Sequence, residues 1–142
     1  MDKTETIRAA IKGKLQALNH IKQVWDYEPD DLAGKFPAIA LTLRDYSDTK
    51  FADNQRNVRS YNFTAKFYIE RGGKHGFSPE KAERVMVELL DEFVTAMDMD
   101  TTLSGICQYA KVTKGRAGYE GRELNMRVAE MDVECVAVTD AK

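Results

Sequence analysis

The run Tyr61-Asn62-Phe63-Thr64-Ala65-Lys66-Phe67-Tyr68-Ile69 decides the fold class. Tyr61, Phe63, Ala65, Phe67 and Ile69 stand at every second position, with Asn62, Thr64, Lys66 and Tyr68 between them. Successive strand residues point to opposite faces, so the run reads as a strand with one core face and one wetter face. The alternation extends from Val58 to Arg71. Upstream, Ala38-Ile39-Ala40-Leu41-Thr42-Leu43 repeats the pattern, with Ile39, Leu41 and Leu43 inward. Phe36-Pro37 opens that run, and proline is tolerated where a strand begins. Between the two runs, Arg44 to Asn57 is polar. Together they predict a long antiparallel hairpin with a polar tip. The tip is longer than a tight turn requires, and long structureless insertions are often functional. Asp45, Asp48, Lys50, Phe51, Asp53 and Arg56 are therefore a candidate assembly loop.

Upstream of this hairpin, Ile7, Ala10, Ile11, Leu15 and Leu18 recur at helical spacing, predicting an amphipathic helix from about residue 4 to 18. Asp2 or Thr4 can cap it, and Glu5 follows Asp2 at capping-box spacing. Val24 to Tyr27 reads as a short strand and Glu28 to Lys35 as a loop. Downstream, Arg71 to Gly76 is a glycine-bearing loop. Ser78-Pro79-Glu80 then starts a helix: a hydroxyl cap, proline at the first helical position and a carboxylate near the positive end of the dipole. Ala82, Val85, Met86, Leu89, Leu90, Phe93 and Met97 form its apolar stripe.

Leu103-Ser104-Gly105 closes a turn, Ile106 to Thr113 reads as a strand, and Lys114 to Arg122 as a polar loop. Leu124 to Val138 reads as the last strand. Its apolar positions change parity, from Leu124, Met126 and Val128 to Ala129, Met131, Val133, Cys135 and Ala137. A bulge near Val128–Ala129 would reconcile the halves. The expected architecture is one α+β domain over residues 1–142. It is a mainly antiparallel β-sheet with an N-terminal helix and one long helix packed on it.

The 142 residues are 43% hydrophobic and 31% charged, with a formal net charge of −2. These values suit a folded domain and lack the basic footprint of a general nucleic-acid binder. Apolar runs are too short for a membrane span, and the charged N-terminal stretch has no apolar signal core, so no Sec-type export is expected. Cys107 and Cys135 read as buried, reduced thiols. His20 and His75 stand alone, so no zinc site is expected. Gly72 to Gly76 does not match the phosphate-loop spacing, and Asp98 to Thr102 lacks the EF-hand glycine and terminal glutamate. No catalytic residue, cofactor site or metal site emerges. Glu130, Asp132 and Glu134 share one strand face. They read either as a wet sheet face or as an acidic surface that repels a polyanion.

The order of elements over nearly the whole chain resembles the tail terminator, or tail completion, proteins of long-tailed phages and prophages. The residues that carry the resemblance are the N-terminal amphipathic helix, Phe36-Pro37-Ala38-Ile39-Ala40-Leu41, the polar hairpin tip and the run Tyr61 to Ile69. The long helix leads into Met97-Asp98-Met99-Asp100-Thr101-Thr102-Leu103-Ser104-Gly105, and a last strand follows. The resemblance implies a hexameric ring that caps the finished tail tube and meets the head connector. It also implies a place in the virion tail after assembly in the host cytoplasm, and no catalytic residues. The expected partners are further copies of the chain, a tail tube protein and a head–tail connector protein. No membrane partner and no specific nucleic-acid binding are expected, and DNA would pass through the ring's channel. The acidic stripe would then face that channel. The competing reading is a small-ligand-binding α+β module, which would need a concave apolar pocket with converging polar groups.

Overall fold

The computed structural model describes residues 3–29, 34–53, 56–72 and 76–140, with the backbone alone at 48–53, 56–57, 122 and 139–140. Two α-helices, α1 (Lys3–Gln16) and α2 (Pro79–Asp98), accompany five strands. The strands are β1 (Gln23–Trp25), β2 (Ala38–Asp53), β3 (Arg56–Glu70), β4 (Tyr109–Glu120) and β5 (Met126–Asp140). They form one sheet in the order β1-β2-β3-β5-β4. Every neighbouring pair is antiparallel except β1 with β2. The expected α+β class and mainly antiparallel sheet are what the chain adopts.

Both helices lie on the face carrying Tyr61, Phe63, Ala65, Phe67 and Ile69. Ile7, Ile11 and Leu15 of α1 and Ala82, Met86, Leu89, Phe93 and Met97 of α2 are buried there. The Phe67 and Phe93 rings meet with centroids 6.0 Å apart. Helix α2 begins as its sequence predicts: the Ser78 side chain accepts from the Lys81 backbone N–H, and proline occupies the first turn. The proposed Asp2 cap lies outside the described residues. Leu103, Ser104 and Gly105 have φ of 50°, 59° and 89°, a left-handed turn at the expected place.

Four local expectations are corrected. First, Arg44 to Asn57 is not a long loop. β2 runs through Asp53 and β3 starts at Arg56, so Asp45, Asp48, Lys50, Phe51, Asp53 and Arg56 all lie on paired strands. Register shifts between Leu43 and Asp45, Asp48 and Lys50, and Phe51 and Asp53 erase the two-residue alternation that would have marked this strand.

Second, Lys114 to Glu120 is strand, not loop. β4 lies at the sheet edge with one face largely exposed, and it contains Gly115 and Gly118. A Cβ on Gly115 would come within 2.7 Å of the Met131 Sδ, so this glycine answers a close approach rather than a turn. Third, β4 begins at Tyr109 and not at Ile106; turns cover residues 101–108.

Fourth, β5 pairs with β3 from Met126 to Asp140 without a register shift, so there is no bulge at Val128–Ala129. The parity change arises because the helix-free face has its own small core. Val128 packs there with Phe36, Ala38, Ala40 and Tyr68, joined by Trp25 and Met126.

Candidate functional site

The helix-free face of the sheet gathers the sequence's polar candidates. Across its centre run Thr64 of β3, Asp132 of β5 and Lys114 of β4, which are register partners. Glu130 and Glu134 flank Asp132, opposite Lys66 and Asn62. The three acidic residues therefore share one face, as their spacing predicts.

Their electrostatics differ from a bare acidic stripe. The Asp132 carboxylate has only 7% of its side chain exposed and is held by two guanidiniums, Arg44 Nη1 at 3.0 Å and Arg116 Nη1 at 3.2 Å. The Thr64 hydroxyl donates to its other oxygen at 3.2 Å. Burial raises the Asp132 pKa, but the hydrogen bonds from Arg116 and Arg44 outweigh it, and the carboxyl titrates below its ordinary value. Arg116 also pairs with Glu130. Glu134 accepts from the Ser60 and Tyr109 hydroxyls, each at 3.0 Å. Lys66 Nζ meets Glu120 Oε2 at 2.7 Å. The face is a lattice of compensated charge rather than a field of one sign.

Two strand irregularities build this lattice. The β2 register shift leaves Arg44 as the extra residue between the Leu43–Phe63 and Asp45–Asn62 pairs. The β4 shift likewise leaves Thr113 between Val112 and Lys114, and its hydroxyl donates to the Asp132 carbonyl at 3.4 Å. A bulged residue is re-aimed relative to its neighbours. Arg44 thereby reaches across β3 to Asp132. Arg44 and Arg116 stood in segments read as loop, so no parity argument could pair them with β5. Their charge opposite the acidic stripe was the available signal.

The β2–β3 ribbon holds the candidate assembly residues. Asp45 accepts from the Asn62 side-chain amide at 2.6 Å and lies 3.6 Å from Arg44 Nε. Tyr46 is 60% exposed, its ring 6.2 Å from Tyr61 and beneath the Arg59 guanidinium. The backbone places Asp48, Lys50, Phe51 and Asp53 on β2 and Arg56 on β3, paired with Asp53.

At the far edge, Tyr119 lies between the Arg71 and Arg127 guanidiniums, at 4.5 and 4.7 Å. Cys107 and Cys135 are buried free thiols that share a hydrogen bond, which raises the Cys135 pKa. His20 faces Glu88 at 3.9 Å on the surface, and His75 lies outside the described residues. Among the described residues, no three His, Cys, Asp or Glu side chains are grouped to hold a metal ion. No helix among them is long and apolar enough to cross a membrane. An open groove of about 530 Å³ runs between α1 and α2, lined by Lys14, Asp91 and Glu92 as well as by Leu18 and Met99.

No family model matches the chain, and no curated protein matches it in sequence. Solved structures do. One is a chain of the virion of a native gene transfer agent particle, with a TM-score of 0.56 at 13% identity, covering 94% of this chain and 95% of that one. The fold is shared with a virion component. A second is a chain from the sheath/tube terminator of an extracellular contractile injection system, PVC, in its extended state. Its TM-score is 0.57 at 14% identity over 96% of this chain. This chain spans only 56% of that one. At these identities the likeness establishes the fold.

Proposed function

We propose that this chain is a structural assembly protein that closes a completed tail tube as a hexameric ring and joins it to the head connector. The observation that carries the reading is the match of 96% of the chain to a chain of a sheath/tube terminator structure. The match along nearly the whole length of a gene transfer agent virion chain supports it. So do the long β2–β3 ribbon and the face of compensated charge. DNA passing through a ring must not stick, and each phosphate neutralised by a free cation adds affinity. Arg44, Arg116 and Lys66 are each committed to a carboxylate on the helix-free face. That face suits a channel wall because these three cations are paired. In this reading the protein performs no chemical step, needs no cofactor, and resides in the virion tail after assembly in the host cytoplasm.

A small-ligand module would require a pocket that encloses its ligand. The groove between α1 and α2 is open rather than enclosing, which favours that reading less.

The test uses purified protein and growing tail tubes of the same system. Addition should arrest elongation and leave one density at a single tube end by electron microscopy. Tubes that continue to lengthen with bare ends would overturn the proposal.

A further inference from the structure

The sheet ends in two unequal edges. On one side β1 covers β2 only at Ala38, Ile39 and Ala40, so residues 41–53 of β2 have no strand beyond them among the described residues. On the other side β4 is the last strand among the described residues. Turn residues reach its start, where the Ala110 N–H donates to the Thr101 carbonyl at 2.6 Å. From 111 to 120 its backbone pairs with β5 on one side and with no other strand among the described residues, although Arg127 Nη1 caps the Gly118 carbonyl. An open edge strand is a template for another strand.

We infer that these two edges pair with each other between copies: β4 of one molecule adds to the distal half of β2 of the next. Three observations meet on this. Their lengths are compatible: at roughly 3.3 Å per residue the β4 stretch spans about 33 Å and fits within the β2 stretch of about 43 Å. Their directions match. β2 and β5 run one way, β3 and β4 the other. A second copy that continues the sheet with its helices on the same side brings its β2 antiparallel to β4.

Their charges are complementary. Apart from Arg116, Glu120, Arg44 and Asp45, which have partners within the chain, residues 111–120 hold Lys111 and Lys114, whereas residues 41–53 hold Asp48 and Asp53 against Lys50. Lysines on an edge also discourage indiscriminate pairing; an acidic partner strand is what would admit one neighbour. Exposed tyrosines stand on both edges, Tyr46 at 60% on β2 and Tyr109 and Tyr119 at 42% and 45% on β4. Aromatic side chains are enriched in the cores of interfaces. Joining two different edges is a heterologous contact, the kind that closes into a ring or runs on as a filament.

This interface rests on the ring reading, from which it takes only that copies associate head to tail. Two charge-reversed variants test it: Lys111→Glu with Lys114→Glu on β4, and Asp48→Lys with Asp53→Lys on β2. Light scattering coupled to sizing reads assembly, with and without tubes. Each variant alone carries edges of like sign and should lose the ring species that the wild type forms. Equimolar mixing should restore it, because every contact in an alternating ring is again between opposite charges. Recovery on mixing also shows that both variants are folded. In the wild type, amide exchange at 41–53 and 111–120 should slow on assembly.

Wild-type rings that persist unchanged in both variants, or that form without slowed exchange at these edges, overturn this interface and leave the ring reading standing. Variants that lose the ring and do not regain it on mixing also overturn it. A wild-type chain that stays monomeric alone and on tubes removes both.

Discussion

Asp132 is the residue at which the helix-free face is tied together. Its folded pKa lies below the ordinary 3.8. A carboxylate with a depressed folded pKa contributes stability that is complete above its unfolded value and is lost as pH falls through the folded one. Asp132→Asn should therefore cost on the order of 1–3 kcal/mol at neutral pH. The difference from wild type should hold down to about pH 4 and shrink below it, measured by denaturant unfolding at a series of pH values. A difference independent of pH would place the effect in packing rather than charge. Gly121 makes a second residue-scale case. It has φ of 86°, and a Cβ there would lie 2.6 Å from the Asn125 Oδ1. Gly121→Ala should destabilise by about 1–2 kcal/mol in the same assay. The acidic triad was legible in the sequence as a period of two. Its neutralisation was not, because Arg44 reaches Asp132 from a bulge, where side-chain parity fails.

At the scale of elements, α2 was the most legible piece, since its cap, its proline and its apolar stripe agree. Leu89, fully buried against the sheet, should cost about 2–5 kcal/mol on truncation to alanine, read from the shift in the unfolding midpoint. A loss under about half a kcal/mol would put Leu89 at the surface. The distal halves of β2 and β4 were the least legible. Repeated register shifts scramble the pattern in β2, and glycines with one exposed face leave little pattern in β4. The distal ribbon gives the element-scale prediction. Replacing residues 49–58 with Asn-Gly joins the paired Asp48 and Arg59 through a two-residue turn. The shortened chain should keep a cooperative unfolding transition yet fail to assemble on tubes. Normal assembly would remove the ribbon from the contact surface.

At the scale of the whole molecule, the sheet separates two tasks. One face buries the helices and carries the stability of the fold. The other pairs Arg44 and Arg116 with Asp132, and among the described residues no strand lies beyond the distal half of β2 or beyond β4. That division suits a subunit that joins its copies side by side around a channel. The element order pointed to this fold before the structure did, because order and length survive where individual side chains do not; the identity to its structural neighbours is only 13% and 14%. The most direct test is electron cryomicroscopy of tail tubes assembled with and without this chain. The expected result is one six-fold ring at a single tube end, with the helices outward and the Glu130–Asp132–Glu134 face toward the lumen. Tube ends without added density, or rings of another symmetry, would contradict it.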